Sequence, residues 1–434
     1  MNILLIGNGA REHIIAKKLA QSPQCDKLLV FGKALNPGIK PLATVYRVGD
    51  LNDNEAIVNF AVESQADFVV VGPENPIANG VVDALMVAGI PAASPTQKMG
   101  QLETSKAFTR ELLFKHRIEG NPRFQQFSSD DGLRSFAQNL GQFVVKADGL
   151  HGGKGVLVQG DHFQTIDEGV EVALKFIESD GSVVIEERLI GQEFSLMSFV
   201  DGKTVVDMPV IQDHKRAYEG DTGPNTGGMG TYSYSTILPF LKPEELQAAH
   251  DITVEVAAAL EKELGDSFVG IMYGGFMVTK NGVRLIEYNA RFGDPEAMNA
   301  LTLLETDLVD VFRAQIDGEL DQLDIQFSKK ATVCKYVVPE GYPTNAVKGK
   351  LIEMGELPEG VEAYFASIDQ VGDELVMLGS RAVAFVGVDD EIEVAEKLVE
   401  KAIAKVNGPV FHRKDIGTQA LIQGRVEMME EVRG

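Results

Sequence analysis

The first hundred residues alternate short β-rich runs (Ile3–Ile6, Leu28–Phe31, Phe68–Val71) with helix-like segments (Arg11–Ala20, Gly80–Ala88). A strand that is followed by a helix and then by another strand of the same sheet crosses over its face, so this rhythm specifies a parallel sheet with helices on both sides. Two loops that leave strand ends, Gly7-Asn8-Gly9-Ala10 and Gly72-Pro73-Glu74-Asn75-Pro76, then share the carboxyl edge of the sheet, where such folds bind ligands. An N-terminal Rossmann-like binding domain is expected over residues 1–104.

The remainder has another texture. From about Lys106, helices are followed by short strands at Phe143–Lys146, Val156–Val158, Val183–Glu187 and Phe194–Val200, joined by glycine turns that imply antiparallel hairpins. A further pair, Gly275–Thr279 and Val283–Tyr288, closes this central region. Strands at Thr332–Val338, Glu374–Leu378 and Arg381–Val386 and a helix at Glu391–Lys405 then predict a small C-terminal α+β domain. At 434 residues the chain exceeds what one core comfortably serves, which agrees with several packed units of mixed α/β and α+β class.

A net charge of −24 argues against a nucleic-acid partner, which needs a basic face to displace counterions, and means that an anionic substrate must be held by local cations. Cys25 and Cys334 alone supply neither a disulfide framework nor a thiolate zinc site. No apolar run reaches membrane-spanning length, and the run Met1–Gly9 lacks a basic flank. A cytoplasmic monomer with no membrane partner is expected.

Five segments carry chemistry. Ile6-Gly7-Asn8-Gly9-Ala10-Arg11-Glu12-His13 sets a glycine turn between strand and helix, aiming backbone N–H groups at an anion. A dinucleotide fits it poorly, because Glu12 stands at the third glycine and Phe31-Gly32-Lys33 lacks the acid that would hold a ribose. Phosphate binding is preferred over a turn with no ligand. The stretch Lys146-Ala147-Asp148-Gly149-Leu150-His151-Gly152-Gly153-Lys154-Gly155 sets four glycines between two strands and two lysines, a mobile tip able to close over polyphosphate rather than a simple solvent loop. It is not a Walker loop, since Lys154 precedes Gly155 instead of a hydroxyl residue.

Val183-Val184-Ile185-Glu186-Glu187-Arg188-Leu189-Ile190-Gly191-Gln192-Glu193 is an apolar strand that ends in acids and turns back on itself, able to offer backbone groups and Glu186 or Glu187 to an adenine edge and Glu193 to ribose hydroxyls. The sharpest signal is Glu287-Tyr288-Asn289-Ala290-Arg291. Residues two apart on a strand share a face, so Glu287 and Asn289 present two hard oxygen ligands suited to Mg²⁺, and Arg291 could stabilise charge on a transferring phosphoryl group. Finally, Asp213-His214-Lys215-Arg216 and the run Gly220–Gly230 form a polar, glycine-rich loop whose basic pair suits an anionic substrate or an acyl phosphate.

Together these segments look like the ATP-grasp fold, with a clamp subdomain over about 125–192 inside a central domain of 105–325 and a C-terminal domain of 326–434. More specifically, the chain resembles the glycinamide ribonucleotide synthetase family, the phosphoribosylamine-glycine ligases of purine synthesis. The resemblance rests on Gly7-Asn8-Gly9…Arg11-Glu12-His13, Val71-Gly72-Pro73-Glu74, Ser105-Lys106-Ala107-Phe108, Lys146–Leu150, Gln212–Arg216, Asp221–Gly230, Arg291–Glu296 and His412–Gly417, which span the chain. The turn Leu378-Gly379-Ser380-Arg381 departs from the family's usual pattern, and no role attaches to it.

The resemblance implies that ATP phosphorylates glycine and that 5-phosphoribosylamine captures the glycyl phosphate, giving glycinamide ribonucleotide, ADP and phosphate. It implies nucleotide contacts from Lys106, Lys146, Gly152, Gly153, Lys154, Glu186, Glu187, Leu189 and Glu193, and metal ligation by Glu287 and Asn289 to Mg²⁺, with Mn²⁺ able to substitute. Arg291, Lys215 and Asp213 take the catalytic roles, and Asn8, Gly9, Arg11, Glu74, Asp213, Lys215 and Asp294 the substrate pocket. The alternatives are another ATP-grasp ligase or carboxylase, such as carboxyaminoimidazole ribonucleotide synthetase, and, from another class, an NAD-dependent oxidoreductase.

Overall fold

In a computed structural model that describes residues 1–152 and 154–434, strands Asn2–Ile6, Lys27–Gly32, Val45–Val48 and Phe68–Val71 form a wholly parallel sheet with Asn2–Ile6 between Lys27–Gly32 and Phe68–Val71. Alternate residues feed two cores: Ile3 and Leu5 pack with Ile14, Ile15 and Leu19 of the helix Ala10–Gln21, while Leu4 and Ile6 pack with Ile57, Phe60 and Val82 on the other face. Ile6 lies in register with Phe31 and Val71, so the two predicted loops leave the sheet side by side, and the Gly72 N–H donates to the Ile6 carbonyl at 2.9 Å.

The clamp region is a four-stranded antiparallel sheet ordered Phe124–Phe127, Val183–Glu187, Phe143–Ala147, Val156–Val158. It has its own apolar core, built on Phe127, Leu133, Phe143, Val145, Phe163 and Ile185. One expectation fails here. The strand Val183–Glu187 does not pair with its successor in the chain; Gly191–Asp201 instead enters a different sheet and pairs along its length with Val269–Thr279. Eleven paired residues, most of them buried, outweigh what a short hairpin would bury.

That second sheet is the backbone of the molecule. It runs Gly282–Asn289, Val269–Thr279, Gly191–Asp201, Ile211–Asp213, Gly230–Ser233, Ala331–Pro339, Val383–Asp389, Val361–Phe365, so one ladder continues from the central region into the C-terminal region through the pairing of Gly230–Ser233 with Ala331–Pro339. Glu374–Met377 belongs instead to a three-stranded sheet with Leu351–Ile352 and Ile368–Val371, and the predicted C-terminal helix spans Ile392–Ile403.

Lys335 is fully buried, and its ammonium is tolerated because Glu396 and Glu400 lie 2.7 Å away and the Lys414 carbonyl accepts from it at 2.8 Å. His412 adds a contact to Glu400 at 3.0 Å. Burial pushes the Glu400 carboxyl up, but hydrogen bonds from His412 and Lys335 outweigh it and hold it at about 2 instead of 4.5. A depressed carboxyl stabilises the fold above its unfolded value, and that contribution is lost as pH falls from about 4.5 towards about 2. The melting temperature is therefore expected to drop across that window, and Glu400→Gln should lower it at neutral pH and flatten its acid dependence, as read by thermal scans at a series of pH values.

Candidate active site

A cavity of about 870 Å³ opens where the N-terminal loops, the clamp tip, the strand Gly282–Asn289, the glycine-rich loop and the C-terminal turn converge. Of the residues singled out in the sequence, Arg11, Glu74, Lys106, Gly152, Glu186, Glu193, Asp213, Lys215, Glu287, Asn289, Arg291 and Asp294 line it. Asn8, Gly9, Lys146, Lys154, Glu187 and Leu189 are not among the described lining residues, and Gly153 lies outside the described residues.

The strand Gly282–Asn289 explains much of the geometry. Gly275 faces Glu287 and Phe276 faces Leu285, so the ladder skips Ile286 in a β-bulge. The Ile286 carbonyl accepts from Arg110 Nη2 at 2.6 Å and from Lys146 Nζ at 2.7 Å. Beyond the bulge, Glu287 and Asn289 both reach the cavity. Burial raises the Glu287 carboxyl, yet Lys215, Lys146, Lys106 and Arg291 together hold it below the ordinary carboxylate range, so it is an anion here. Among the described residues no group of three His, Cys, Asp or Glu could hold a cation unaided. An ionised carboxylate and an amide oxygen on one strand face fit a hard divalent ion that takes its other ligands from phosphates and water.

Arg291 is tightly framed. Its Nη2 lies 3.0 Å from Glu103 Oε1 and donates to Asn289 Oδ1 at 3.2 Å, while Nε, without a hydrogen-bond partner, is 3.6 Å from Glu74. Burial disfavours its charge, but Glu103 and Glu74 more than restore it. Lys215 lies 3.6 Å from Glu193 and 3.8 Å from Glu287, and these acids keep it protonated against the cost of burial. Lys106 Nζ donates to the Gly149 carbonyl, tying the helix Lys106–His116 to the clamp tip. The Asp213 carboxyl is pushed well up by burial and by repulsion from Glu296.

Several expected roles change. The Glu186 carboxylate is not free for an adenine edge: Arg110 grips it at 2.6 and 2.9 Å and Lys146 Nζ lies 2.9 Å away, all three being buried. Lys146 is thereby committed to Glu186 and Ile286. Glu187 turns to the Arg123 side chain and backbone N–H at 2.9 and 2.8 Å. In the first loop the anion is internal, since Glu12 Oε2 accepts from the Gly9 N–H at 2.5 Å. A Cβ on Gly7 or Gly72 would collide with the Glu12 side chain at 2.6 or 2.2 Å. Asn8 caps Lys33 N at 3.1 Å. Asp294 is held by Tyr336 at 2.6 Å and Arg381 at 3.3 Å.

The glycine-rich loop is ordered by the C-terminal segment. Asp221 is bound by Arg413 at 2.8 Å and by Arg425, and Gly220 N donates to Asp415 at 3.0 Å. Burial raises the Asp221 carboxyl, but Arg425 and Arg413 hold it at about 2.

Four charged groups of the site take no role from the sequence: buried Glu103, Arg110 and Glu296, and half-buried Arg381. For Arg110 a signal was present, because it lies one helical turn after Lys106 and so shares its face. The other three find their partners only through distant chain segments.

The phosphoribosylglycinamide synthetase N domain matches residues 1–103, its ATP-grasp (A) domain 104–297 and its C domain 332–419. The phosphoribosylamine–glycine ligase of Methanosarcina barkeri is 44% identical over 435 residues, covering 100% of both chains, and that of Pyrococcus furiosus is 44% identical over 439 residues, covering 100% of this chain and 98% of its own. The crystal structure of phosphoribosylamine–glycine ligase from Thermotoga maritima superposes with a TM-score of 0.81 at 27% identity, covering 96% of this chain and 100% of that one. N5-carboxyaminoimidazole ribonucleotide synthetase from Thermotoga maritima, at 19% identity and a TM-score of 0.64 over 94% of this chain and 99% of its own, shares the fold alone. With three domain matches in order along the sequence and full-length relatives at 44% identity, the chain belongs to the phosphoribosylglycinamide synthetase family.

Proposed function

We propose that this enzyme uses ATP to join glycine to 5-phosphoribosylamine, giving glycinamide ribonucleotide, ADP and phosphate. The observation that carries the reading is the convergence of Glu287, Asn289, Arg291 and Lys215 on one cavity that also takes Arg11 and Glu74 from the N-terminal loops. A carboxylate resists attack by an amine because its oxygen leaves poorly. A glycine carboxylate oxygen first bonds to the γ-phosphorus as the bond to ADP breaks; the amine nitrogen then bonds to the acyl carbon, phosphate departs, and the nitrogen loses a proton.

The work of the side chains is positioning and electrostatic stabilisation. Lys215 and Arg291 steady the transferring phosphoryl group and the acyl phosphate, Lys106 contacts ATP phosphates, and Glu193 accepts from ribose hydroxyls. Arg11, Glu74 and Asp213 serve the glycine and phosphoribosylamine pocket. Glu287 and Asn289 would hold the divalent ion, Mg²⁺ with Mn²⁺ able to substitute, which neutralises phosphate charge when bound. Lys146, bound to Glu186 and Ile286, acts through its field and by holding the strand Gly282–Asn289. No helix among the described residues is long and apolar enough to cross a membrane, and we place the enzyme in the cytoplasm as a monomer.

An ADP-release assay tests the reading. Release should require glycine and the aminosugar together, and bicarbonate should not replace glycine. Strong bicarbonate-dependent release would instead favour an ATP-grasp carboxylase.

A further inference from the structure

Arg381 sits in the turn just ahead of the strand Val383–Asp389, far in sequence from every segment that carries the proposed chemistry, yet its guanidinium lies in the wall of the cavity. Its Nη1 donates to the carbonyls of Gly227 at 2.6 Å, Gly228 at 3.1 Å and Asp294 at 3.0 Å, and its Nη2 lies 3.3 Å from Asp294 Oδ1. The guanidinium carbon stands 4.4 Å above the Tyr336 ring, whose hydroxyl donates to the same Asp294 carboxylate at 2.6 Å. One planar cation therefore joins the glycine-rich loop to the turn at Asp294-Pro295.

Those two segments touch with no slack. A Cβ on Gly228 would lie 2.6 Å from Pro295 Cδ and 2.8 Å from Asp213 Oδ1. The first segment continues from Asp213 and Lys215, and the second links Arg291 to Glu296, whose charge raises the Asp213 carboxyl. Fork geometry, stacking and permanent charge are what arginine supplies and lysine does not. With Nη1 held by three protein carbonyls and Nη2 beside the Asp294 carboxylate, Arg381 is bound to both segments at once and acts through them.

We infer that Arg381 is a positioning residue for the glycine and amine half of the site, locking the Gly227-Gly228 carbonyls to the Asp294 turn so that Asp213 and Lys215 face Arg291 at a fixed separation. The inference rests on the ligase reading. The nucleotide half, built on Lys106, Glu193 and the clamp tip, makes no hydrogen bond or ion pair with Arg381 among the described residues and meets the locked segments at the Lys215–Glu193 pair, 3.6 Å apart.

The full-length Arg381→Ala and Arg381→Lys variants test it by steady-state ADP release with glycine and ATP varied in turn. In Arg381→Ala, kcat/KM for glycine should fall about a hundredfold, the scale of a small misplacement of reacting groups, while KM for ATP stays within about twofold. Arg381→Lys, which keeps the charge but not the fork, should recover less than about a tenth of the wild-type value. Guanidinium ion added below denaturing concentration should partly restore Arg381→Ala, which a general loss of folding would not allow. Equal losses for glycine and ATP, or a glycine kcat/KM within about threefold of wild type in Arg381→Ala, overturn the assignment. Wild-type protein that releases no ADP in response to glycine overturns the ligase reading instead, and the inference with it.

Discussion

Glu287→Ala is expected to lower glycine-dependent ADP release by about three orders of magnitude even at saturating Mg²⁺, the equivalent of about 4 kcal/mol of lost transition-state stabilisation. The magnitude reflects the part the carboxylate plays in place. It is the one ionised oxygen donor on the bulged strand, held as an anion by Lys215, Lys146, Lys106 and Arg291 in spite of burial. Removing it leaves those cations unbalanced and leaves Asn289, already accepting from Arg291 at 3.2 Å, as the sole side-chain donor there. Glu287→Gln keeps the shape and loses the charge, so it should fall between wild type and alanine. Titration of Mn²⁺ in the presence of a non-hydrolysable ATP analogue gives a readout independent of turnover, and both variants should weaken it. Turnover of Glu287→Ala within about tenfold of wild type at saturating metal would remove Glu287 from the metal site.

How much of this was legible in the sequence depended on distance along the chain. The parallel sheet could be read because its pattern is local: Ile3–Ile6, Leu28–Phe31 and Phe68–Val71 each match a strand to within a residue or two. The shared face of Glu287 and Asn289 also comes from strand periodicity, and both residues line the cavity. What escaped was set by partners far away. The bulge at Ile286 exists only against Val269–Thr279, and the reassignment of Glu186 needs Arg110, which lies 76 residues away. Glu12 filling the turn at Gly7 and Gly72 could not be told from an exposed acid at a helix start. The C-terminal strands were found, but not that they extend the central sheet, because an edge left open by one segment says nothing of which later segment will cover it.

The second large effect concerns stability and arises from the reassigned cluster. Arg110 and Glu186 are almost fully buried, with side-chain exposures of 2% and 4%, and their bidentate pairing at 2.6 and 2.9 Å joins the helix Lys106–His116 to the clamp strand Val183–Glu187. The same guanidinium donates to Ile286, so it also clips the strand Gly282–Asn289 to that joint. Removing one partner of such a pair costs far more than the pair is worth, because the survivor keeps its desolvation penalty; Arg110→Met should cost about 3–5 kcal/mol. Glu186 would be left with Lys146 alone, and that ammonium must also serve the Ile286 carbonyl at 2.7 Å. The loss should appear in the first thermal transition as a fall of at least about 6 °C. Adding Glu186→Leu removes the stranded carboxylate but leaves the buried Lys146 with the Ile286 carbonyl alone, so the double variant should lose less than the sum of the two single losses; a coupling of about 2 kcal/mol or more between the two changes is expected in a double-mutant cycle. Strict additivity, or a single variant melting with wild type, would mean that the Arg110–Glu186 pair does not join the clamp to the strand Gly282–Asn289.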